Sequence, residues 1–183
     1  MACRIRPGPR EQCHALLGSR ARLALSLAAL AIAIAAACDG PVGPLPGGAL
    51  RGEAKPCPGD FGAFANEREV ELEVAPERPR SVRIWNVVQG ERLYVSGDVL
   101  TPGKRWPHQV AADPRVRIRI AGQLFRCQAT RVVDASIIEA LRREAARKYQ
   151  IEPDGWAARS EVWLFEIAPR PADPADVRTS EAK

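Results

Sequence analysis

Residues 69–74 read Glu69-Val70-Glu71-Leu72-Glu73-Val74, and residues 115–120 read Arg115-Val116-Arg117-Ile118-Arg119-Ile120. Charged and aliphatic side chains alternate strictly in both. Successive side chains of a strand point to opposite faces, so each stretch predicts a strand with one wet and one buried face. The neighbouring sequence extends the pattern. Ser81 to Val88 (SVRIWNVV) is apolar on both faces in part, which predicts a more central strand. Gln89-Gly90-Glu91 is a hairpin turn that returns the chain as Arg92 to Ser96. Ala121-Gly122 turns the Arg-rich strand back into Leu124 to Val133, and Glu161 to Ile167 supplies a last strand. The expectation is about six strands, mostly hairpin-linked and antiparallel, forming a small barrel.

Two helices interrupt the strands. Pro107 to Ala112 is short, with Pro107 suited to a first helical turn and Pro114 closing it. Residues 136–149 make the stronger helix. Ser136-Ile137-Ile138-Glu139 has the form of a capping box. Ile138, Leu141, Ala145 and Tyr149 then fall on one apolar stripe, which leaves Arg142, Arg143 and Arg147 to water. The barrel domain is expected over residues 67–168. Residues 38–66, rich in Gly, Pro and Ala, read as a flexible tether with some packing near Phe61 and Phe64. Residues 169–183 have no large apolar anchor beyond Val177 and read as a disordered tail.

The chain has 183 residues with a formal net charge of +5, but residues 1–37 hold five Arg and one Glu. The other 146 residues carry 22 basic and 21 acidic side chains, so the domain itself is nearly neutral. That removes the electrostatic argument for nucleic-acid binding. Leu23 to Ala37 (LALSLAALAIAIAAA) is fifteen uncharged residues after a basic segment, too short for a typical membrane span and of the right length for a signal peptide over residues 1–37. The run ends at Cys38. Ile34-Ala35-Ala36-Ala37-Cys38 resembles the lipobox of bacterial lipoproteins, in which the Cys is acylated and becomes the mature N-terminus. That resemblance implies a lipid anchor at Cys38 and a place in the cell envelope, facing the periplasm or the exterior. A plain secretory signal with an adventitious Cys is the alternative.

Of five Cys, Cys3 and Cys13 lie in the leader and Cys38 is the lipidation candidate. Cys57 and Cys127 remain in an oxidising compartment, where a disulfide between them would close a loop of about 70 residues. Two free thiols are the alternative. His14 falls in the leader, so His108 is the one imidazole in the domain. That excludes a His-rich metal site and leaves a Ser-His-Asp hydrolase without supporting residues.

The order of elements carries a further resemblance. Gly90-Glu91-Arg92-Leu93-Tyr94-Val95-Ser96, then Lys104-Arg105-Trp106, then Ala111-Ala112-Asp113-Pro114-Arg115-Val116-Arg117-Ile118 and Gly122, are similar to the core of the pyridoxamine-phosphate-oxidase-like flavin-binding proteins. Trp106-Pro107-His108-Gln109-Val110-Ala111-Ala112-Asp113-Pro114 also resembles the Trp-x-His-Asn-Leu-x-Ala-Asn-Pro stretch of deazaflavin-dependent nitroreductase relatives. The likeness covers roughly Val70 to Ile167. It implies a mainly β (α+β) fold, a six-stranded antiparallel split β-barrel with two helices. It also implies a homodimer with FMN or a deazaflavin in the groove between barrels. Lys104 and Arg105 match the basic residues that hold the cofactor phosphate, Ser96 would add a hydroxyl, and Trp106 and His108 would wall the pocket. The chemistry is sound on its own terms, since a phosphate favours a bidentate Arg and a Lys. Plainer readings stand beside it. Lys104 and Arg105 are solvated loop residues, Trp106 a core plug, His108 a surface residue, the Arg115, Arg117 and Arg119 stripe a wet strand face, and Trp85, Trp163 and Phe165 core or dimer interface. Functionally, an oxidoreductase is weighed against a cofactor-free binding or assembly module that kept only the barrel.

Overall fold

The structure, a computed structural model, describes residues 40–152 and 161–171. The signal segment, Cys38 and most of the C-terminal tail lie outside the described residues. The chain divides after Cys38, and every element described below belongs to the unit Asp39–Lys183. Among the described residues there are seven strands: β1 (Lys55–Pro56), β2 (Glu69–Val74), β3 (Arg80–Gln89), β4 (Arg92–Asp98), β5 (Arg115–Ile120), β6 (Gln123–Val132) and β7 (Val162–Pro169). Two helices accompany them, α1 (Trp106–Ala112) and α2 (Ala135–Tyr149), with a single 3-10 turn at Gly62–Phe64.

The strand order is β1-β6-β5-β2-β3-β4-β7, and β6 also pairs with β7. Strands β2 to β7 therefore close on themselves as a six-stranded antiparallel barrel, with β1 as an extra strand. Closure removes the exposed sheet edges that an open sheet would present. Register follows the sequence pattern. Leu72 pairs with Val82 on one side and Ile118 on the other, all with aliphatic side chains. Interior-facing Val70, Leu72, Val74, Leu93, Val95, Val116, Ile118, Ile120, Phe165 and Ile167 form the main core. Strand β3 packs on both faces over part of its length, although Arg83 and Trp85 are exposed. Its Val82, Ile84 and Val88 pack on that core, while Val87 joins a second cluster on the outside.

The second cluster lies under α2. Leu141, Ala145 and Tyr149 of the expected stripe are buried against Val87, Tyr94 and Leu164, with Ile138 partly buried. The cap differs from the expected box. Asp134, not Ser136, is the N-cap, and its carboxylate accepts from the N–H groups of Ser136 and Ile137. An aspartate two residues ahead reaches both donors, so the Ser136 hydroxyl bonds Asp134 instead of capping.

The arm ahead of β2, read as a tether, is packed on the barrel. Gly47 and Ser81 exchange backbone hydrogen bonds, and the Ser81 hydroxyl donates to the Gly48 carbonyl. Leu50 is 1 % exposed. Strand β1 runs parallel to β6 with Lys55 opposite Phe125 and Pro56 opposite Arg126. One residue further the register brings Cys57 to Cys127, and the two form a disulfide with Cα atoms 5.0 Å apart. Glycine and proline content sets the stiffness of a free chain, but backbone pairing to a barrel overrides it. At the other end β7 continues to Pro169, and Arg170 donates to the carbonyls of Cys127 and Val116, so the ordered chain outlasts the expected boundary at Ala168.

Candidate functional site

The loop from β4 to α1 is built by one aspartate. Asp98 accepts from the Leu100 N–H at 2.8 Å and the Thr101 N–H at 3.3 Å, and from the Thr101 hydroxyl. The Thr101 hydroxyl first, then the Leu100 N–H, holds its carboxyl below the ordinary range, with a smaller pull from Lys104. Thr101-Pro102-Gly103-Lys104 follows as a tight turn closed by Lys104 N–H to Thr101 carbonyl at 3.1 Å, with Gly103 at φ +84°. Proline then glycine at the centre of a turn is the type II preference. A Cβ at Gly103 would meet nothing within 4 Å, so the space above this backbone is open. The turn lifts Lys104 and Arg105 into solvent.

Trp106 goes the other way. It is 4 % exposed, with its ring centroid 5.8 Å from that of Phe165. A Cβ at Gly97 would lie 2.4 Å from its Cζ2, so the ring rests directly on the β4 backbone. The core-plug reading describes it. His108 is exposed and stands edge-on to Trp163 with centroids 5.0 Å apart. The other notable contact of Trp163 is the Arg131 guanidinium, 3.8 Å from its ring centroid. Ser96 lies on the outward side of β4, in a small pocket under α2 lined by Trp85, Tyr94, Leu141 and Tyr149. The strand alternation puts Gly97, and hence Trp106, on the opposite face. The structure thus brings Lys104, Arg105 and Trp106 together and leaves Ser96 and His108 apart from them.

Lys104, Arg105 and Trp106 line a groove of about 270 Å³ with Arg80, Arg83, Val82 and Ile84 of β3 and Pro44 and Pro46 of the arm. Four cations therefore face one groove with an aliphatic floor. Among the described residues Arg80, Lys104 and Arg105 make no ion pair, whereas Arg83 reaches Glu71 at 2.9 Å. Arg80 and Arg83 were not identified from sequence. They occupy β3 positions some twenty residues before the loop, and the antiparallel register of β3 on β4 sets them beside it. A larger open hollow of about 580 Å³ beside Trp85 is lined by Glu67, Glu69 and Glu71 as well as Arg68, Arg83 and Arg119, so its charge is balanced. The β3 groove is net positive, as is a smaller hollow of about 140 Å³ where Arg115, Arg117, Arg126 and Arg170 outnumber Glu73. No group of three or more His, Cys, Asp or Glu suited to a metal occurs among the described residues.

The Arg115, Arg117 and Arg119 stripe, expected as a wet face, is paired. Arg119 meets Glu71 at 3.0 Å, and Arg117 forks onto Glu73, which is 4 % exposed. Trp85, expected in core or interface, is 45 % exposed and stacks on Tyr149 with centroids 4.3 Å apart.

No family model and no curated protein matches the chain. Solved structures do. The heme storage protein HutZ from Vibrio cholerae has 20% sequence identity and a TM-score of 0.50, over 60% of this chain and 87% of that one. A protein from Listeria innocua assigned as a pyridoxamine 5'-phosphate oxidase has 15% identity and a TM-score of 0.45, over 59% and 88%. An F420 reductase has 15% identity and a TM-score of 0.43, over 63% and 97%. What this chain shares with HutZ is the fold.

Proposed function

We propose that this chain is a lipoprotein of the bacterial cell envelope, anchored at Cys38, whose split barrel pairs with a second copy and binds FMN or a deazaflavin for redox chemistry. One observation supports the cofactor reading above the others: Arg80, Arg83, Lys104 and Arg105 face a single groove with an open turn at its rim. These residues fit a phosphate. Arg105 and Arg80 present planar forks for bidentate contact, and Lys104 adds a compact charge. Gly103, lacking a Cβ, leaves the backbone accessible to a phosphate oxygen. Such a cofactor, when bound, supplies hydride or electron transfer, and the protein binds and orients it.

A second reading is supported by the arm. Pro44 and Pro46 already form one wall of the groove, and Trp106 already fills the space beneath it. A barrel whose groove is narrowed by its own chain suits a cofactor-free binding or assembly module.

Reconstitution separates the two. Every described element, the disulfide and both cores lie within Asp39–Lys183, so residues 39–183 are the protein to use. Titration with FMN, and separately with a deazaflavin, is followed by absorbance and fluorescence quenching. The expected result is stoichiometric binding to one of them, weakened about a hundredfold in Lys104→Ala/Arg105→Ala with the circular dichroism unchanged. No binding to either by the folded protein would overturn the cofactor reading in favour of the second. Sedimentation of the same sample reads the oligomeric state.

A further inference from the structure

The arm opens with a tight turn. Val42 and Leu45 exchange backbone hydrogen bonds of 3.1 and 3.0 Å around Gly43 and Pro44, with Gly43 at φ +56°. The side chains that flank the turn are not tucked in. Val42 is 59 % exposed and Leu45 66 %. Leu100, in the loop that carries Lys104, is 63 % exposed. These are three of the five exposed large hydrophobics among the described residues. Single exposed aliphatics need no explanation, but here Val42 and Leu45 flank Pro44 and Pro46, which line one groove, and Leu100 lies in the loop that supplies its Gly103, Lys104 and Arg105. Pro44, inside the turn, and Pro46 line that groove opposite Arg80, Arg83, Lys104 and Arg105. Apolar tips beside cations, of which Arg80, Lys104 and Arg105 make no ion pair among the described residues, suit an anionic lipid surface, where aliphatics enter the headgroup boundary and cations meet phosphate. Position in the chain agrees. The fifteen-residue apolar run ends at Ala37, and Val42 follows five residues later. The turn is held to the barrel through the Gly47–Ser81 pair and the Cys57–Cys127 disulfide, so it is a fixed feature of the domain.

We propose that the Val42–Leu45 turn, Leu100 and the cationic groove form a face that docks on an anionic lipid bilayer and sets the barrel's orientation at the membrane. The docking surface rests on the proposed place at the membrane and uses the same cations as the cofactor reading, but it needs no bound cofactor. One acyl chain alone binds a membrane marginally, and a second contact makes anchoring stable.

The test uses residues 39–183, which lack Cys38, so that binding reports the face alone. Sedimentation with phosphatidylglycerol-containing vesicles is compared with pure phosphatidylcholine vesicles at low and high salt. The expected result is binding to anionic vesicles that is about tenfold stronger than to neutral ones and weakens with salt. Val42→Asp/Leu45→Asp, and the milder Val42→Ser/Leu45→Ser, should lose it, and the uncharged Ser variant should do so while leaving FMN or deazaflavin titration without vesicles as in the parent. Equal binding by parent and variants, or no preference for anionic vesicles, would overturn the proposal. Loss of self-association in the variants without any vesicle binding by the parent would also overturn it and make this face a contact between copies. The cofactor titration is run without vesicles and the vesicle assay without cofactor, so the two readings are told apart.

Discussion

Glu73 is the acidic residue whose setting departs furthest from its place in the pattern. It occupies an outward position of β2, yet it is 4 % exposed because the arm lies over it. Its carboxylate accepts from Arg117 Nε at 2.7 Å and Nη2 at 2.5 Å, and from the Leu50 N–H at 2.6 Å. A buried pair broken on one side leaves an uncompensated charge and, here, an orphaned backbone donor. Glu73→Ala should therefore cost about 2–4 kcal/mol, less than a fully buried pair because Arg117 retains some solvent contact. Glu73→Gln keeps an acceptor for Leu50 and should cost less. Urea unfolding checks both, with a lower midpoint at an unchanged slope. Losses equal to those of Glu69→Ala, an exposed carboxylate of the same strand, would mean that the burial has no energetic consequence. The alternation is legible, but by itself it predicts a wet face for the Arg stripe, and only the pairing of β2 with β5 sets Glu71 opposite Arg119 and Glu73 opposite Arg117. The burial of Glu73 is not legible either, because Leu50 lies 23 residues away in a segment with no strand pattern.

At the scale of the element, α2 depends on one charged cap. The Asp134 carboxyl is held below the ordinary carboxylate range, first by the Ser136 hydroxyl and then by the Ile137 and Ser136 N–H groups. A folded value below the unfolded one means stability that is fully present above the unfolded value, near pH 4, and lost as pH falls through the folded value. Acid titration of helix signal should thus show α2 weakening below about pH 4. Asp134→Ser keeps an N-cap acceptor without the charge. It should retain the helix at neutral pH and lose this part of the acid dependence. An unchanged acid profile in that variant would assign the dependence to the other depressed carboxyls, Asp98, Asp113 and Glu144. The helix was readable because its stripe of Leu141, Ala145 and Tyr149 is periodic. The cap was misassigned because Asp134 and Ser136 both carry suitable oxygens, and only the backbone's exit from β6 chooses between them.

At the scale of the molecule, the disulfide joins the arm to the barrel across 70 residues. On the chain-entropy account a loop of that length stabilises by about 4 kcal/mol. Cys57→Ser/Cys127→Ser should lose up to that amount and expose residues 40–60 to limited proteolysis before the barrel opens. Simultaneous cleavage of arm and barrel would show that the two unfold as one unit. The variant bears on function as well, since Pro44 and Pro46 of the arm wall the cationic groove. Loosening the arm should widen access to Lys104 and Arg105 without altering either residue.

Alternation of side chains is a local property, so the strands, their pairing in hairpins and the barrel class were determined by the sequence alone. So was the Lys104-Arg105 loop, because Pro102-Gly103 and Pro107 punctuate it. Four decisions belong to the tertiary structure. The antiparallel register of β3 on β4 sets the Arg80–Arg83 end of β3 beside that loop and makes a groove from residues some twenty positions apart. The two-residue side-chain period puts Ser96 on the far side of β4 from Trp106, although both were readable as site residues. Parallel pairing of β1 with β6 turns a Gly-Pro-rich stretch into a fixed wall. The same packing buries Glu73 and leaves Val42 and Leu45 in the open. Each of these depends on contacts between segments remote in sequence, whose geometry no local pattern encodes.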